Sequence, residues 1–364
     1  MDGGQVGDAL CVEVPHAAGE ITVEIETEAE LVVADLLFLI DVSDSMSSEL
    51  EAITLGLRER MVPGFAEEIS DVAFGLATFS DFPIEPYGRS GDSPFSLLVE
   101  VTRDASAVED ALREVGTSIG GDEPESQAEA LYRVATAEEV GFRPEALPVV
   151  LLFTDAPFHD GPSGLHAYDG LSPAPATWQQ AVDALRGLGA HAVGLDSSEG
   201  GGAETAADLR ATASALGTVD LGGAPLVFES GDEVAALSST VVDAVVTLAQ
   251  EVRLDVDALV EDVPGDAYDG RDFVLAIRPL SASPADAVRA IDGVAFRGVV
   301  PGTRLTFALV LASSIVEPTD TPVTVPLRII VRGSFRTVLA VVRVDLVLPG
   351  ADGTGCPAPG GRGD

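Results

Sequence analysis

The chain has 364 residues, 46% of them hydrophobic, and a mean hydropathy of +0.28, which excludes a disordered polyelectrolyte and suits two packed cores better than one. Its 60 acidic residues stand against 20 basic ones, all arginine, for a formal net charge of −40. So acidic a surface repels nucleic acid and anionic membranes and draws in cations, although most of these carboxylates need be no more than solvated surface.

In chain order, residues 11–30 (CVEVPHAAGEITVEIETEAE) alternate with period two and predict an edge pair of β-strands. From residue 34 to 250 near-continuous apolar runs alternate with helical spacing. ADLLFLID, DVAFGLATFS and SLLVEVT read as strands, with a helix predicted over 49–61 after the first and over 105–115 after the third. A helix over 125–140 precedes the strand ALPVVLLFTD. Further helices are expected over 177–187, 205–216 and 233–251, with strands AHAVGLD and LVFE between them. This order predicts an α/β, doubly wound, mostly parallel sheet covered on both faces, with ligands beyond the carboxyl ends of its strands.

After residue 250 period-two alternation returns in EVRLDVDAL, DFVLAIRPL, TRLTFALVLAS, VPLRIIVRG and FRTVLAVVRVDLVLP, with no long helix between them. The expectation is an antiparallel β-sandwich of residues 1–33 and 251–350, into which the α/β domain of 34–250 is inserted, with 351–364 a flexible tail. No apolar run approaches the length of a bilayer span, so no direct membrane insertion is expected. The start, MDGGQVGDAL, lacks the basic and apolar regions of a secretion signal, which leaves a cytoplasmic protein or a piece of a larger one; the linker-like tail favours the piece. The two cysteines, Cys11 and Cys356, would share the sandwich under this arrangement, and a bridge between them would imply an oxidising compartment.

The run FLIDVSDSM carries the first chemical signal. A buried strand ends in Asp41, and alternation aims Ser43 and Ser45 the same way. Two neutral hydroxyls with few direct carboxylates suit Mg²⁺ while leaving it short of anionic donors, so that it seeks one from outside. By itself D-x-S-x-S is weak, since Asp and Ser are common at helix caps. With GTSIGGDEPESQAEALYRVA and VVLLFTDAPFHDG following in order, however, the chain resembles the von Willebrand factor A superfamily, closest to the A-like domain of integrin β subunits in its hybrid-type sandwich.

The resemblance implies a metal-ion-dependent adhesion site for Mg²⁺ or Mn²⁺ in which Ser43, Ser45 and Glu125 contact the ion and Asp41 and Asp155 hold it from close by. Glu125 is expected to open a helix; in an alternative register Thr117 would be the ligand. An adjacent Ca²⁺ site is implied on Asp81, Asp122, the Pro124 carbonyl and Glu125, although the family's asparagine is replaced by Gly120. A third site would fall on Ser48 and Glu49, where the family's first acid is missing. His159 and His166 read as loop residues rather than ligands, because imidazole prefers softer ions than this oxygen set suits.

The implied function is binding rather than catalysis: capture of a protein ligand with an exposed acidic residue, at an extracellular or cell-surface location, the cytoplasm being left open. Alternatives are a calcium-stabilised structural surface protein and a metal-dependent hydrolase, although no nucleophile–base arrangement is evident. The terminal Arg362–Gly363–Asp364 is read as chance or truncation.

Overall fold

The computed structural model describes residues 9–14, 20–162, 166–198, 202–229, 234–312, 319–334, 336–351 and 355–356. The chain divides into two compact units, Val33–Val252 and the pair Met1–Val32 with Arg253–Asp364.

The second unit begins with β1 (Leu10–Glu13) and β2 (Glu20–Ala29). The first unit follows in sequence. Its sheet contains β3 (Val33–Asp41), β4 (Asp71–Phe79), β5 (Ser96–Thr102), β6 (Leu147–Thr154), β7 (His191–Asp196) and β8 (Val227–Glu229) in the order β5-β4-β3-β6-β7-β8. Only β5 runs antiparallel. Every residue of β3, β6 and β7 is buried, as expected for central strands covered on both faces. Phe38 of β3 stacks on Phe153 of β6, ring centroids 6.1 Å apart, and both are fully buried. Removing either ring would cost about 3–5 kcal/mol.

The helices are α1 (Ser47–Gly56), α2 (Val62–Glu68), α3 (Ala105–Glu114), α4 (Gln127–Thr136), α5 (Trp178–Leu188), α6 (Ala203–Ala215) and α7 (Val234–Glu251). The single helix expected over 49–61 is instead two, joined by a π turn over Leu57–Met61. Pro63 lies just beyond that turn. It has no N–H to give to the i−4 carbonyl, so the ladder widens and restarts with proline in the first turn of α2. Helix α5 is closed at both ends by its own sequence: Thr177 and Gln180 form a reciprocal capping box, and Gly189 takes the left-handed conformation at φ 71°.

At the amino-terminal edge of the sheet, Arg143 holds the fully buried Asp35. Its Nε donates to Asp35 Oδ1 at 2.6 Å and its backbone N–H donates to Oδ2 at 2.6 Å, while its Nη1 reaches Asp71 at 2.7 Å. Arg143→Ala would leave a buried carboxylate without its cationic partner, with only the backbone N–H of residue 143 still donating to it. The expected loss is about 3–5 kcal/mol of unfolding free energy, measured by urea denaturation; a loss below about 1 kcal/mol would mean that water takes the arginine's place.

In the second unit, β9 (Leu254–Asp262), β10 (Val274–Ser283), β11 (Ala290–Ile291), β12 (Phe296–Val299), β13 (Thr303–Ala312), β14 (Val323–Gly333) and β15 (Thr337–Leu348) complete two sheets, ordered β1-β15-β14-β9-β12-β11 and β10-β13-β2. Phe296 of one sheet meets Phe307 of the other edge to face at 5.2 Å. Two expectations are corrected. β1 and β2 do not pair with each other but join different sheets, and β1 lies parallel to β15 rather than antiparallel to a neighbour. Alternation fixes which face of a strand is buried, not which strand it pairs with. The short strands β11 and β12 were not expected. Of the predicted tail only Ala351, Gly355 and Cys356 are described, and Cys356 is bonded to Cys11 with their Cα atoms 5.8 Å apart. The Arg362–Asp364 tripeptide lies outside the described residues.

Candidate metal centre

The carboxyl ends of the parallel strands gather the predicted acids. Asp41 ends β3 and is fully buried. Its Oδ1 accepts the Ser43 N–H at 2.9 Å, and its Oδ2 accepts the Thr154 hydroxyl at 2.7 Å. Thr154 is oriented in turn by Gln127, whose Nε2 donates to the Thr154 Oγ1 at 2.9 Å and to the Ala156 carbonyl at 3.0 Å. The chain Gln127–Thr154–Asp41 thus aims one carboxylate across two strands. The sequence marked neither Gln127 nor Thr154 as part of the site; the available signal was a lone hydroxyl ending an otherwise apolar strand.

Ser43 and Ser45 lie with their hydroxyls 3.2 Å apart. Asp155 follows β6 and is half-buried. Burial raises its pKa against a hydrogen bond from Ser45. Burial likewise pushes Asp41 up to about 6. Ser45, Ser48, Glu49, Glu123, Asp155 and Glu204 are among the residues lining a groove of about 640 Å³. Ser48 donates to Glu49 Oε2 at 3.0 Å, so the two residues of the third predicted site bond to each other within this groove.

Glu125 does not open a helix, contrary to expectation. Its N–H donates to the Pro157 carbonyl at 3.1 Å and its carbonyl accepts the His159 N–H at 2.9 Å, so it forms a short bridge beside Phe158 and α4 starts two residues later. These two tertiary hydrogen bonds override the helix-dipole preference for an early glutamate. The consequence is a buried carboxylate whose Oε2 has no hydrogen-bond partner. Burial, then the charges of Asp41, Asp81, Asp92 and Asp122, push its pKa up to about 10. An acid so placed calls for a proton or a cation. Thr117, the alternative ligand, is exposed and donates to Asp44 at 3.1 Å.

Asp81 and Asp122 come together beyond β4. Asp81 is fully buried; its Oδ1 accepts the Phe82 N–H and the Tyr168 hydroxyl, each at 2.5 Å. Gly121 lets the neighbouring aspartate approach: a Cβ there would fall 2.2 Å from the Pro86 carbonyl oxygen and 2.4 Å from that of Tyr87, and Asp122 N–H donates to the same Tyr87 carbonyl. Pro124 is buried beside them. At Gly120, where φ is 69°, a Cβ would lie 3.5 Å from Glu125 Oε1. The asparagine of the resembling family would therefore have faced Glu125. His159, read from the sequence as a loop residue rather than a ligand, lies beside Asp81 and Asp122. It is buried with its Nε2 3.2 Å from Asp81 Oδ2 and 3.6 Å from Asp122 Oδ2, and donor atoms of the three side chains lie within 4.8 Å of one another. Burial lowers its pKa, but Asp81 and the His166 carbonyl outweigh that and raise it. His166 lends the backbone carbonyl, while its own ring lies 3.4 Å from Glu204.

Residues 29–167 match the integrin beta chain VWA domain family. This segment is similar to the VWA domain of integrin β chains. The acids, serines and threonines of this site, apart from Glu204, fall within the matched stretch. Solved structures similar to the whole chain include a von Willebrand factor type A protein from Catenulispora acidiphila, 12% identical with a TM-score of 0.42, covering 93% of this chain and 72% of that one. The pilus adhesin SpaC from Lactobacillus rhamnosus GG, in an open conformation, is 12% identical with a TM-score of 0.40, covering 93% of this chain and 46% of that one. Proximal thread matrix protein 1 from the mussel byssus is 16% identical with a TM-score of 0.39, covering 65% and 51%. The chain thus spans about half the length of the latter two, and likeness at such scores says nothing of function. No curated protein matches the chain. Among the described residues no helix is long and apolar enough to cross a membrane.

Proposed function

We propose that the VWA domain is a divalent-metal-dependent adhesion module that captures a carboxylate of a protein partner. The observation that carries this reading is the buried, partnerless Glu125 Oε2, which feels the charge of Asp41, the residue that accepts the Ser43 N–H. The donor set fits a hard cation: Ser43, Ser45 and Glu125 would hold Mg²⁺ or Mn²⁺, with Asp41 and Asp155 behind them. When bound, the ion supplies a Lewis-acidic position for an outside carboxylate. A second cation, Ca²⁺ by resemblance, would be held by Asp81, Asp122, the Pro124 carbonyl and Glu125.

The groove beside Ser45 and Asp155 offers the partner room, and its acidic lining would make binding depend on the ion. We read the domain as spanning 34–250 within a hybrid-like sandwich of 1–33 and 251–350, followed by a tail over 351–364. An extracellular or cell-surface setting is supported by the Cys11–Cys356 bridge.

The test is an array of aspartate- and glutamate-containing peptides beside their asparagine and glutamine counterparts. Binding should require Mg²⁺, vanish in EDTA, favour the acidic members, and be lost in Asp41→Ala together with the Mg²⁺-dependent thermal shift. Equal binding to acidic and amide peptides would overturn the carboxylate-capture reading.

A further inference from the structure

We infer that His159, Asp81 and Asp122 form a mixed nitrogen–oxygen site for a first-row transition ion, Zn²⁺ foremost, rather than an all-oxygen site for Ca²⁺. This rests on the reading that a second cation binds beside Glu125, and not on the capture of a carboxylate.

The imidazole is fixed at both ends. Its Nδ1 lies 2.8 Å from the His166 carbonyl oxygen. A carbonyl only accepts, so Nδ1 carries a proton and donates it, and in the neutral ring Nε2 presents its lone pair. That lone pair faces Asp81 Oδ2 across 3.2 Å, yet neither atom has a hydrogen-bond partner and both are buried. A ring nitrogen and a carboxylate oxygen so placed call for a positive charge between them, a proton or a cation, and the second carboxylate of Asp122 within reach of the same point suits a cation.

The surroundings hold the ligating atoms in place. His159 stacks on Tyr168 with centroids 4.0 Å apart and meets the edge of Tyr87 at 5.4 Å. Tyr168 also donates to the other oxygen of Asp81, leaving Oδ2 turned toward His159. A ligand histidine typically gives its second N–H to a carbonyl, and a ligand carboxylate is itself hydrogen-bonded on its free oxygen. Both conditions are met. Asp122 Oδ2 completes the set at 3.6 Å from Nε2. Ca²⁺ takes oxygens almost exclusively, whereas imidazole with carboxylates suits Zn²⁺ and its neighbours.

The experiment uses the whole chain carrying Asp41→Ala, which silences the proposed Mg²⁺ site, stripped with chelator and reloaded. Mn²⁺ bound at the remaining site should show coupling to a ¹⁴N nucleus in pulsed EPR. Zn²⁺ should displace it at stoichiometric addition, while a hundredfold excess of Ca²⁺ should not. His159→Gln should abolish the ¹⁴N coupling and weaken Zn²⁺ at least a hundredfold, with Ca²⁺ affinity changed only a few-fold. Should that variant fail to fold, the ¹⁵N shift of His159 Nε2 on Zn²⁺ addition to the unsubstituted residue reads the same bond. A bound cation without nitrogen coupling, readily displaced by Ca²⁺, would overturn the proposal and leave the second-cation reading intact. An imidazolium ring that persists in excess Zn²⁺ would overturn the proposal alone, and no bound cation at all would overturn both, while Mg²⁺-dependent peptide binding by the unsubstituted chain would still stand.

Discussion

Cation binding to the unit Val33–Val252 is expected to release about one proton near pH 8 and to tighten roughly tenfold per pH unit between about pH 7 and 9. The cause is Glu125. Its carboxyl is held at about 10 by burial first and then by the charges of Asp41, Asp81, Asp92 and Asp122, so the metal-free domain carries it neutral at pH 8. A cation needs it ionised and must expel that proton. Asp41, pushed up only to about 6, is already charged there and contributes little to the slope. Stability follows with a definite sign. The folded state holds the Glu125 proton far above the ordinary carboxyl value of 4.5, so this contribution is complete below pH 4.5 and is lost as pH rises through 10. In EDTA the domain should therefore melt at progressively lower temperature from mild acid to alkali, and Mg²⁺ should flatten or reverse that trend. Calorimetric titrations in buffers of different ionisation enthalpy count the proton directly. Glu125→Gln, which mimics the neutral acid, should keep the metal-free fold, abolish proton release and weaken the cation severely. A binding constant that does not change from pH 7 to 9 would show that Glu125 is not displaced from its proton by the ion.

The strand-end part of this site was open to sequence reading because it depends on local rules. An apolar run that stops at an acid, followed by hydroxyls at alternate positions, delivers Asp41, Ser43 and Ser45 to one edge whatever else the chain does. Asp155 follows the neighbouring buried strand for the same reason. Contacts decided by loops were not open to it. His159 became a candidate ligand only because Tyr87 and Tyr168, 81 residues apart, close around it. Glu125 lost its helical place to hydrogen bonds with residues more than thirty positions away. Strand partners in the other unit were hidden in the same way. The alternation in β1 and β2 told which side chains turn inward and nothing of the two sheets they would join.

The Cys11–Cys356 bridge should account for most of the hold on β1. That strand is four residues long, lies at the edge of its sheet and is largely exposed, with Val12 alone fully turned inward. Beyond its ladder with β15 it is secured by the Val14 N–H on the Val347 carbonyl and by Glu13, whose Oε1 accepts the Cys356 N–H at 2.8 Å. So short an edge strand has little cooperative pairing of its own. The bridge spans a sequence separation of 345, so in the chain-entropy picture it removes freedom from the unfolded state worth on the order of 5 kcal/mol. Replacing both cysteines by serine should lower the melting temperature of the β unit by on the order of 15 °C. The transition of the unit Val33–Val252 and its Mg²⁺-dependent shift should barely move, because that unit contains neither cysteine. Two resolved transitions in differential scanning calorimetry would separate the effects. If both fell together, the two units would unfold as one cooperative body; if neither fell, the β1 ladder would suffice without its covalent tie.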